Sequence, residues 1–321
     1  MVTAITGGAG FLGSHVVDYF AGQGESIVVV DDFSDGDRQN LAKSEGNVDI
    51  REVDLVDRDE AMRVFADVDI IVHLAAKIGG IGYFHEVPAD IISINDNINR
   101  NVFDAAVEND VERVCYASSS MVYENAVDFP VVEEQIGDIP PPNSAYGFQK
   151  LAGEYYCDAY QKQYDLDYSI FRPFNAVGTR EPPGEEVGQA HVIPDLVKKT
   201  LDARQYPLEI LGSGEQVRSF TNVRDIAAGV YKCAYEPAAR NEDFNLGSSN
   251  GVSIRELARE IWDRCDREEP FEVTTRESYD HDVQKRIPDS QKARNRLGWE
   301  PEVTLGESLA EYIEWYEEEV R

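Results

Sequence analysis

A glycine-rich turn near the amino terminus, Gly7-Gly8-Ala9-Gly10-Phe11-Leu12-Gly13, constrains this chain more than any other feature. It follows the apolar run Val2–Thr6 directly and opens an amphipathic stretch, so it stands at a strand-to-helix junction. Glycines at 7, 10 and 13 let the backbone turn sharply. They also let a pyrophosphate approach the helix N-terminus, where free N–H groups and the helix dipole favour anions. The next apolar run, Ser26–Asp31, ends in an acid about 20 positions on, which is the context the motif needs. A carboxylate at Asp31, followed by Asp32, can accept hydrogen bonds from ribose hydroxyls and would repel a 2′-phosphate. It therefore selects NAD over NADP.

The same rhythm continues through the first half. Strand-like runs at 48–53, 70–74, 111–118 and 168–171 alternate with helical stretches beginning near Phe11, Arg58, Asp90 and Ser144. This predicts an α/β fold with a doubly wound parallel sheet. At the strand ends, Asp54-Leu55 is placed to reach an adenine, and Leu74-Ala75-Ala76 offers small residues to the middle of a cofactor. Ligands of open α/β sheets bind at these carboxyl ends, so the serine cluster Ser118-Ser119-Ser120 can reach the same cavity.

After Arg172-Pro173-Phe174-Asn175 the character changes. Residues 179–188 read as a loop, followed by helices near Ile193, over 222–235 and from the capped Ser253 to Cys265. Short strands are expected at 208–211 and 244–246, and an acidic amphipathic helix over 305–320. The expected division is a cofactor domain at 1–174, to which 219–247 returns, and a smaller α/β substrate-binding domain made mainly of 175–321.

Tyr146 and Lys150 lie four apart on a stretch with few breakers, so they share one helix face. A free tyrosine titrates at about 10. A neighbouring ammonium favours the phenolate and is expected to bring it toward working range as a base.

Composition excludes several roles. With 61 acidic against 30 basic residues, the net charge is −31, and a polyanion such as nucleic acid would be repelled. Anionic membranes are disfavoured for the same reason. The basic residues are 21 Arg and only 9 Lys, and the acids are spread along the chain, which reads as a surface adapted to high salt. No apolar run approaches the roughly 20 residues that span a bilayer. The start lacks a basic n-region with a cleavage site, so a cytoplasmic protein is expected. Cys115, Cys157, Cys233 and Cys265 form no Cys-x-x-Cys pair, and neither a metal site nor a disulfide framework is expected.

In order, the glycine loop, acid, serine cluster and Tyr-x-x-x-Lys closely resemble the extended short-chain dehydrogenase/reductase family, specifically its nucleotide-sugar epimerases and dehydratases. The resemblance runs nearly the whole chain. It includes Arg172-Pro173-Phe174-Asn175-Ala176-Val177-Gly178, Gly212-Ser213-Gly214-Glu215-Gln216-Val217-Arg218-Ser219-Phe220 and Ile287-Pro288-Asp289-Ser290-Gln291-Lys292-Ala293. It implies a Rossmann-type cofactor domain, NAD as cofactor and a nucleotide sugar as substrate. By the same resemblance Tyr146 is the base, Lys150 holds the nicotinamide ribose and tunes it, and Ser119 hydrogen-bonds the sugar. Phe11, Leu12, Ser34, Asn97 and Pro173 join the cofactor contacts. Lys77, Ser120, Met121, Asn175 and Val192 face the substrate, His191 either faces the sugar or packs in its loop, and Arg218 and Arg286 clamp the phosphates. The helices near Asp90 and Ser144 form the usual dimer face in relatives, so a homodimer is expected.

Within the family, dehydratases carry Thr-Asp-Glu where this chain has Ser120-Met121-Val122, so no acid is available to eliminate water. Lys77-Ile78-Gly79-Gly80-Ile81-Gly82 resembles GDP-fucose synthase and GDP-mannose 3,5-epimerase. Both use a cysteine at the position of Met121, whose thioether cannot exchange protons. What remains is 4-epimerisation, which needs one base and one tightly held NAD, with a UDP-hexose as the expected substrate. The rivals are a GDP-sugar epimerase and a non-catalytic NAD- or sugar-nucleotide-binding protein.

Overall fold

The computed structural model describes residues 1–78, 86–184, 190–202, 204, 206–277 and 283–321. Gly79-Gly80-Ile81-Gly82 and residues 185–188 of the expected loop lie outside the described residues.

Seven strands form one parallel sheet: β1 (Val2–Thr6), β2 (Ser26–Asp31), β3 (Val48–Glu52), β4 (Ile70–His73), β5 (Arg113–Ala117), β6 (Asp167–Pro173) and a later strand, Glu242–Leu246. That last strand pairs in parallel with β6 at the sheet edge. The chain starts in the middle at β1, winds out through β2 and β3, then returns to place β4, β5 and β6 on the other side. The reversal between β1 and β4 is the topological switch point, where the diverging crossovers leave a crevice.

Helices cover both faces because the strands are apolar on both. β1 and β2 are buried almost throughout. On one face α1 (Phe11–Gly22) packs beside the helix Val223–Tyr235, with Phe20, Ile226 and Val230 against Ile5, Val29 and Phe244. On the other lie α2 (Arg58–Val64), α3 (Pro88–Glu108) and α4 (Ala145–Tyr164), where Phe65, Phe103 and Cys157 meet Ala4, Ile71 and Tyr116. Each fully buried Val, Ile or Phe contributes about 1.5–3 kcal/mol relative to exposure.

A second apolar cluster holds the carboxyl-terminal unit. It is built from α5 (Val192–Leu201), α7 (Ile254–Arg264) and α9 (Leu305–Trp315), whereas α6 (Val223–Tyr235) and α8 (Gln291–Leu297) pack on the large sheet. Their contacts centre on Val197, Leu257, Ile261, Leu309 and Tyr312. The remaining strands are β7 (Ala176–Val177), β8 (Leu208–Leu211), β9 (Val217–Ser219), β10 (Thr221–Asn222), β11 (the edge strand Glu242–Leu246), β12 (Gly251–Ser253), β13 (Val273–Arg276) and β14 (Lys285–Arg286). They pair as β10-β7, β12-β9-β14 and β13-β8.

Ala293, Leu297 and Trp299 return to pack into the core of the large sheet. The Trp299 indole N–H donates to the Asp225 carbonyl, which anchors that return. The terminal helix is regular only to Trp315 and ends in a wider turn, Tyr316–Val320.

Candidate active site

One cavity of about 1840 Å³ opens at the carboxyl ends of the parallel strands and runs into the second unit. Every site residue expected from the sequence lines it except Asn97. The Asn97 amide instead donates to the Val56 carbonyl at 3.4 Å, while Ile94 and Ile98 of α3 form the wall.

The cofactor side is built from backbone. Gly7 has φ +66°, and a Cβ there would meet the Ala75 backbone at 2.9 Å. At Gly13 a Cβ would stand 2.0 Å from the Gly7 carbonyl oxygen, so helix and turn touch only because no side chain intervenes. Gly10 is the N-cap of α1 and offers no side chain to its first-turn N–H groups. This leaves donors and the positive end of the dipole at the cavity wall. Asp31 is buried and accepts N–H bonds from Ala9 and Phe33, each 2.8 Å. Burial pushes its carboxyl up, and these two bonds oppose the shift. Asp32 accepts from the Ser34 N–H and hydroxyl.

The wall after β4 is held by a directional chain. The Thr6 hydroxyl accepts the N–H groups of Leu74 and Ala75, both at 3.1 Å. Its own proton is thereby directed to His73 Nδ1 at 2.8 Å, and His73 Nε2 donates to Asn99 Oδ1 at 3.1 Å. Asn95 clamps Lys77 through its N–H (2.6 Å) and carbonyl (2.9 Å), and Asn101 donates to the Leu55 and Val56 carbonyls. Lys77 Nζ reaches Asp35 Oδ2 at 3.1 Å, joining the loops after β2 and β4. Sequence reasoning missed Asn95, Asn99 and Asn101. Their signal was four asparagines at 95, 97, 99 and 101 inside one helix, where the residue is a poor former and must serve tertiary contacts.

At the centre, Ser144 caps α4 by accepting the Gly147 N–H at 3.1 Å. This sets the helix register, so Tyr146 and Lys150 face the end of β5. Lys150 Nζ is buried, donates to the Ala117 carbonyl at 2.8 Å and lies 5.9 Å from the centre of the Tyr146 ring. Burial lowers the ammonium to about 8. Tyr146 and Ser119 line the cavity side by side, and Ser119 favours the phenolate. The Tyr146 phenol is pushed up by burial, against the lowering effects of the Ser119 hydroxyl and of the Arg286 charge. The sequence expectation was a net fall driven by Lys150; the loss of water around the phenol outweighs its cationic surroundings here.

The substrate side is built from long side chains. Arg218 and Arg286 are register partners on the adjacent parallel strands β9 and β14, so their side chains leave the small sheet on one face. Arg218 is nearly buried, and Arg286 reaches Asn175 Oδ1 at 3.3 Å and Met121 Sδ at 2.8 Å. Two neighbouring guanidinium groups favour a ligand carrying more than one negative charge. Asn175, at φ +38°, donates to the Ser219 carbonyl at 2.6 Å, tying the end of the large sheet to the small one. His191 ends the loop before α5, with Val192 as its first residue, and its Nδ1 pairs with the Glu181 carboxylate. That carboxylate raises the imidazole pKa. Glu181 was not singled out from the sequence. Among the described residues no group of His, Cys, Asp and Glu could hold a metal ion.

A crevice at the switch point, a glycine turn with unfilled helix donors and a buried acid after β2 define a dinucleotide-binding α/β protein, and these residues fit NAD. Comparison with known sequences agrees: the model of the NAD dependent epimerase/dehydratase family matches residues 3–247. The chain belongs to that family. Among curated relatives, a putative UDP-glucose 4-epimerase of Methanocaldococcus jannaschii is 32% identical over 317 residues, 97% of each chain. UDP-glucuronic acid decarboxylase 1 of Xenopus tropicalis is 31% identical over 98% of this chain and 72% of its own. Among solved structures, UDP-glucose 4-epimerase of Thermotoga maritima with UDP-glucose superposes with a TM-score of 0.89 at 30% identity, covering 100% of both chains. The protein is thus an NAD-dependent enzyme of the nucleotide-sugar epimerase and dehydratase type.

Proposed function

We propose that this protein is a nucleotide-sugar 4-epimerase acting on a UDP-hexose. The observation that carries the reading is the set of groups around Tyr146: Ser119, Ser120, Met121, Lys150 and Arg286. Positions 120–122 of the serine turn supply no carboxylate or thiol, and the carboxylate that caps the turn, Glu124, is occupied in accepting the Ser144 N–H and hydroxyl. A single acid/base group suffices to move one proton at O4 and return it, whereas dehydration or exchange at C3 or C5 needs another.

In this reading Gly7, Gly10 and Gly13 receive the NAD pyrophosphate, Asp31 the adenosine ribose and Lys150 the nicotinamide ribose. NAD, when bound, accepts the C4 hydrogen as hydride and gives it back. Ser119 orients the O4 hydroxyl toward Tyr146, which takes its proton and later returns it. Arg218 and Arg286 hold the diphosphate while the 4-keto sugar turns its other face to the site. The rival from a GDP-sugar is weakened by Met121, which has no proton to exchange and whose sulfur rests on Arg286.

Incubating the purified protein with UDP-glucose, UDP-GlcNAc, UDP-glucuronic acid and GDP-mannose, without added cofactor, tests the reading. We expect interconversion of a UDP-hexose with its C4 epimer. Carbon dioxide from UDP-glucuronic acid alone, or product from GDP-mannose alone, overturns it. We further read the acidic, lysine-poor surface as an adaptation to high salt. The expected outcome is a melting temperature that rises between dilute buffer and molar KCl, and a flat or falling series refutes it.

A further inference from the structure

Three successive positions on one face of α4 meet three successive residues at the end of β5. Lys150 holds the Ala117 carbonyl, Glu154 holds the Ser118 hydroxyl, and Tyr146 lies beside Ser119 in the cavity. Two of these belong to the acid/base centre. The third, Glu154, is buried and has no place in the chemistry described above.

Its surroundings are built to hold it still. Glu154 Oε1 accepts from Ser118 Oγ at 2.5 Å and from Arg172 Nε at 2.8 Å, and Oε2 accepts from Arg172 Nη2 at 2.8 Å. This two-point pairing fixes the plane of the carboxylate. Arg172, among the most deeply buried side chains of the protein, also donates to the Tyr123 hydroxyl at 3.0 Å and pairs with Asp243 at 2.8 Å. Tyr123 closes the serine turn and donates in turn to Asn245 Oδ1 at 2.9 Å. Burial disfavours the Arg172 charge, but Glu154, Tyr123 and Asp243 outweigh it and hold the guanidinium charged above its ordinary range. Both ends of the turn that carries Ser119 are therefore tied to one buried cation.

We propose that Glu154, locked by Arg172, is a positioning residue that fixes the end of β5 against the catalytic helix through Ser118 and so sets where Ser119 stands beside Tyr146. The role rests on Tyr146 as the base, and not on which sugar or nucleotide the enzyme takes. The groups facing the phenol are Ser119 and Tyr116 from the β5 side, Lys150 from its own helix and Arg286 from β14. Loosening the strand end removes the first of these and leaves the others.

The test follows the ionisation of Tyr146 in the NAD-loaded enzyme, read as the tyrosinate absorbance lost when Tyr146→Phe is added to each background. Ser118→Ala removes one hydroxyl and keeps the Glu154–Arg172 pair; Glu154→Gln breaks the charge. We expect Tyr146 to titrate about one pH unit higher in both, equivalent to about tenfold less phenolate at neutral pH. With a turned-over substrate, kcat should fall to match, recover as pH is raised, and leave KM within about twofold. If Glu154→Gln does not fold, the Ser118→Ala titration decides alone. Glu133→Gln alters the far end of the network, where Glu133 accepts the Asn245 N–H at 2.7 Å, and should lower Tm without moving the titration. An unshifted titration in Ser118→Ala, or an equal shift in Glu133→Gln, overturns the proposal, and both readings stand whether or not a UDP-hexose is the substrate.

Discussion

The two sides of the cavity are held by different means. On the cofactor side the contacts come from backbone: glycines that admit close approach, bare helix N–H groups, and the N–H bonds that Asp31 and Thr6 collect. On the substrate side they come from long side chains on segments far apart in sequence, with Asn175, Arg218 and Arg286 meeting through β9 and β14. The first arrangement is vulnerable to added atoms, and the charges it uses sit at few positions, Asp31 and Lys150. The second should tolerate added atoms at its strands and depend on charge.

A paired substitution breaks or sharpens that contrast. Gly13→Val places a branched side chain where a Cβ alone would stand 2.0 Å from the Gly7 carbonyl oxygen, and the obstacle is backbone that cannot swing away. The variant should purify without NAD and lose activity by about 10³-fold or more, since the hydride acceptor is gone. Arg218→Met keeps the length of the side chain and removes its charge. It should retain full NAD and raise KM roughly 10- to 100-fold, the worth of one charge-assisted hydrogen bond. NAD released on denaturation and steady-state kinetics read both. Loss of NAD from Arg218→Met would mean that the two sides are not independent.

The same contrast explains what could be read from the sequence. Gly7, Gly10, Gly13 and Asp31 act within one βαβ unit, so their spacing alone carries the geometry. Tyr146 and Lys150 are legible for a similar reason, because one helix fixes their relation. Glu154 sits four residues beyond Lys150 on the same face, yet its partners Ser118 and Arg172 lie on different strands, and only tertiary packing joins them. Glu181, which lies in a loop, and the β9–β14 pairing were hidden likewise, because loops and strands of two or three residues carry too little pattern to detect. The direction of the Tyr146 shift was misjudged because a sequence shows neighbouring charges but not the loss of water around them.

The smallest effects are expected from two histidines, one on each side, with opposite signs. His73, beneath the cofactor wall, is lowered to about 3 by burial and by the Lys150 charge. Between pH 6.5 and 3 the unfolded chain binds a proton there that the folded protein refuses. Its stabilising effect is complete above pH 6.5 and is lost on acidification, by up to about 1.4 kcal/mol per pH unit. His15, lowered to about 4 mainly by burial, adds a parallel slope. His191 is raised by Glu181, so its pairing is fully present below pH 6.5 and disappears as pH rises through the raised value. Its side chain is 56% exposed, and solvent screening keeps that contribution below about 1 kcal/mol. Melting temperatures from pH 5 to 8 should therefore rise less steeply in His73→Gln than in the parent. In His191→Asn the rise should be slightly steeper, because a contribution that fades with pH has been removed. Equal slopes for parent and His73→Gln would show that the imidazole takes up its proton without disturbing the Thr6–Leu74 wall, and the cofactor side would then be less rigid than its hydrogen bonds imply.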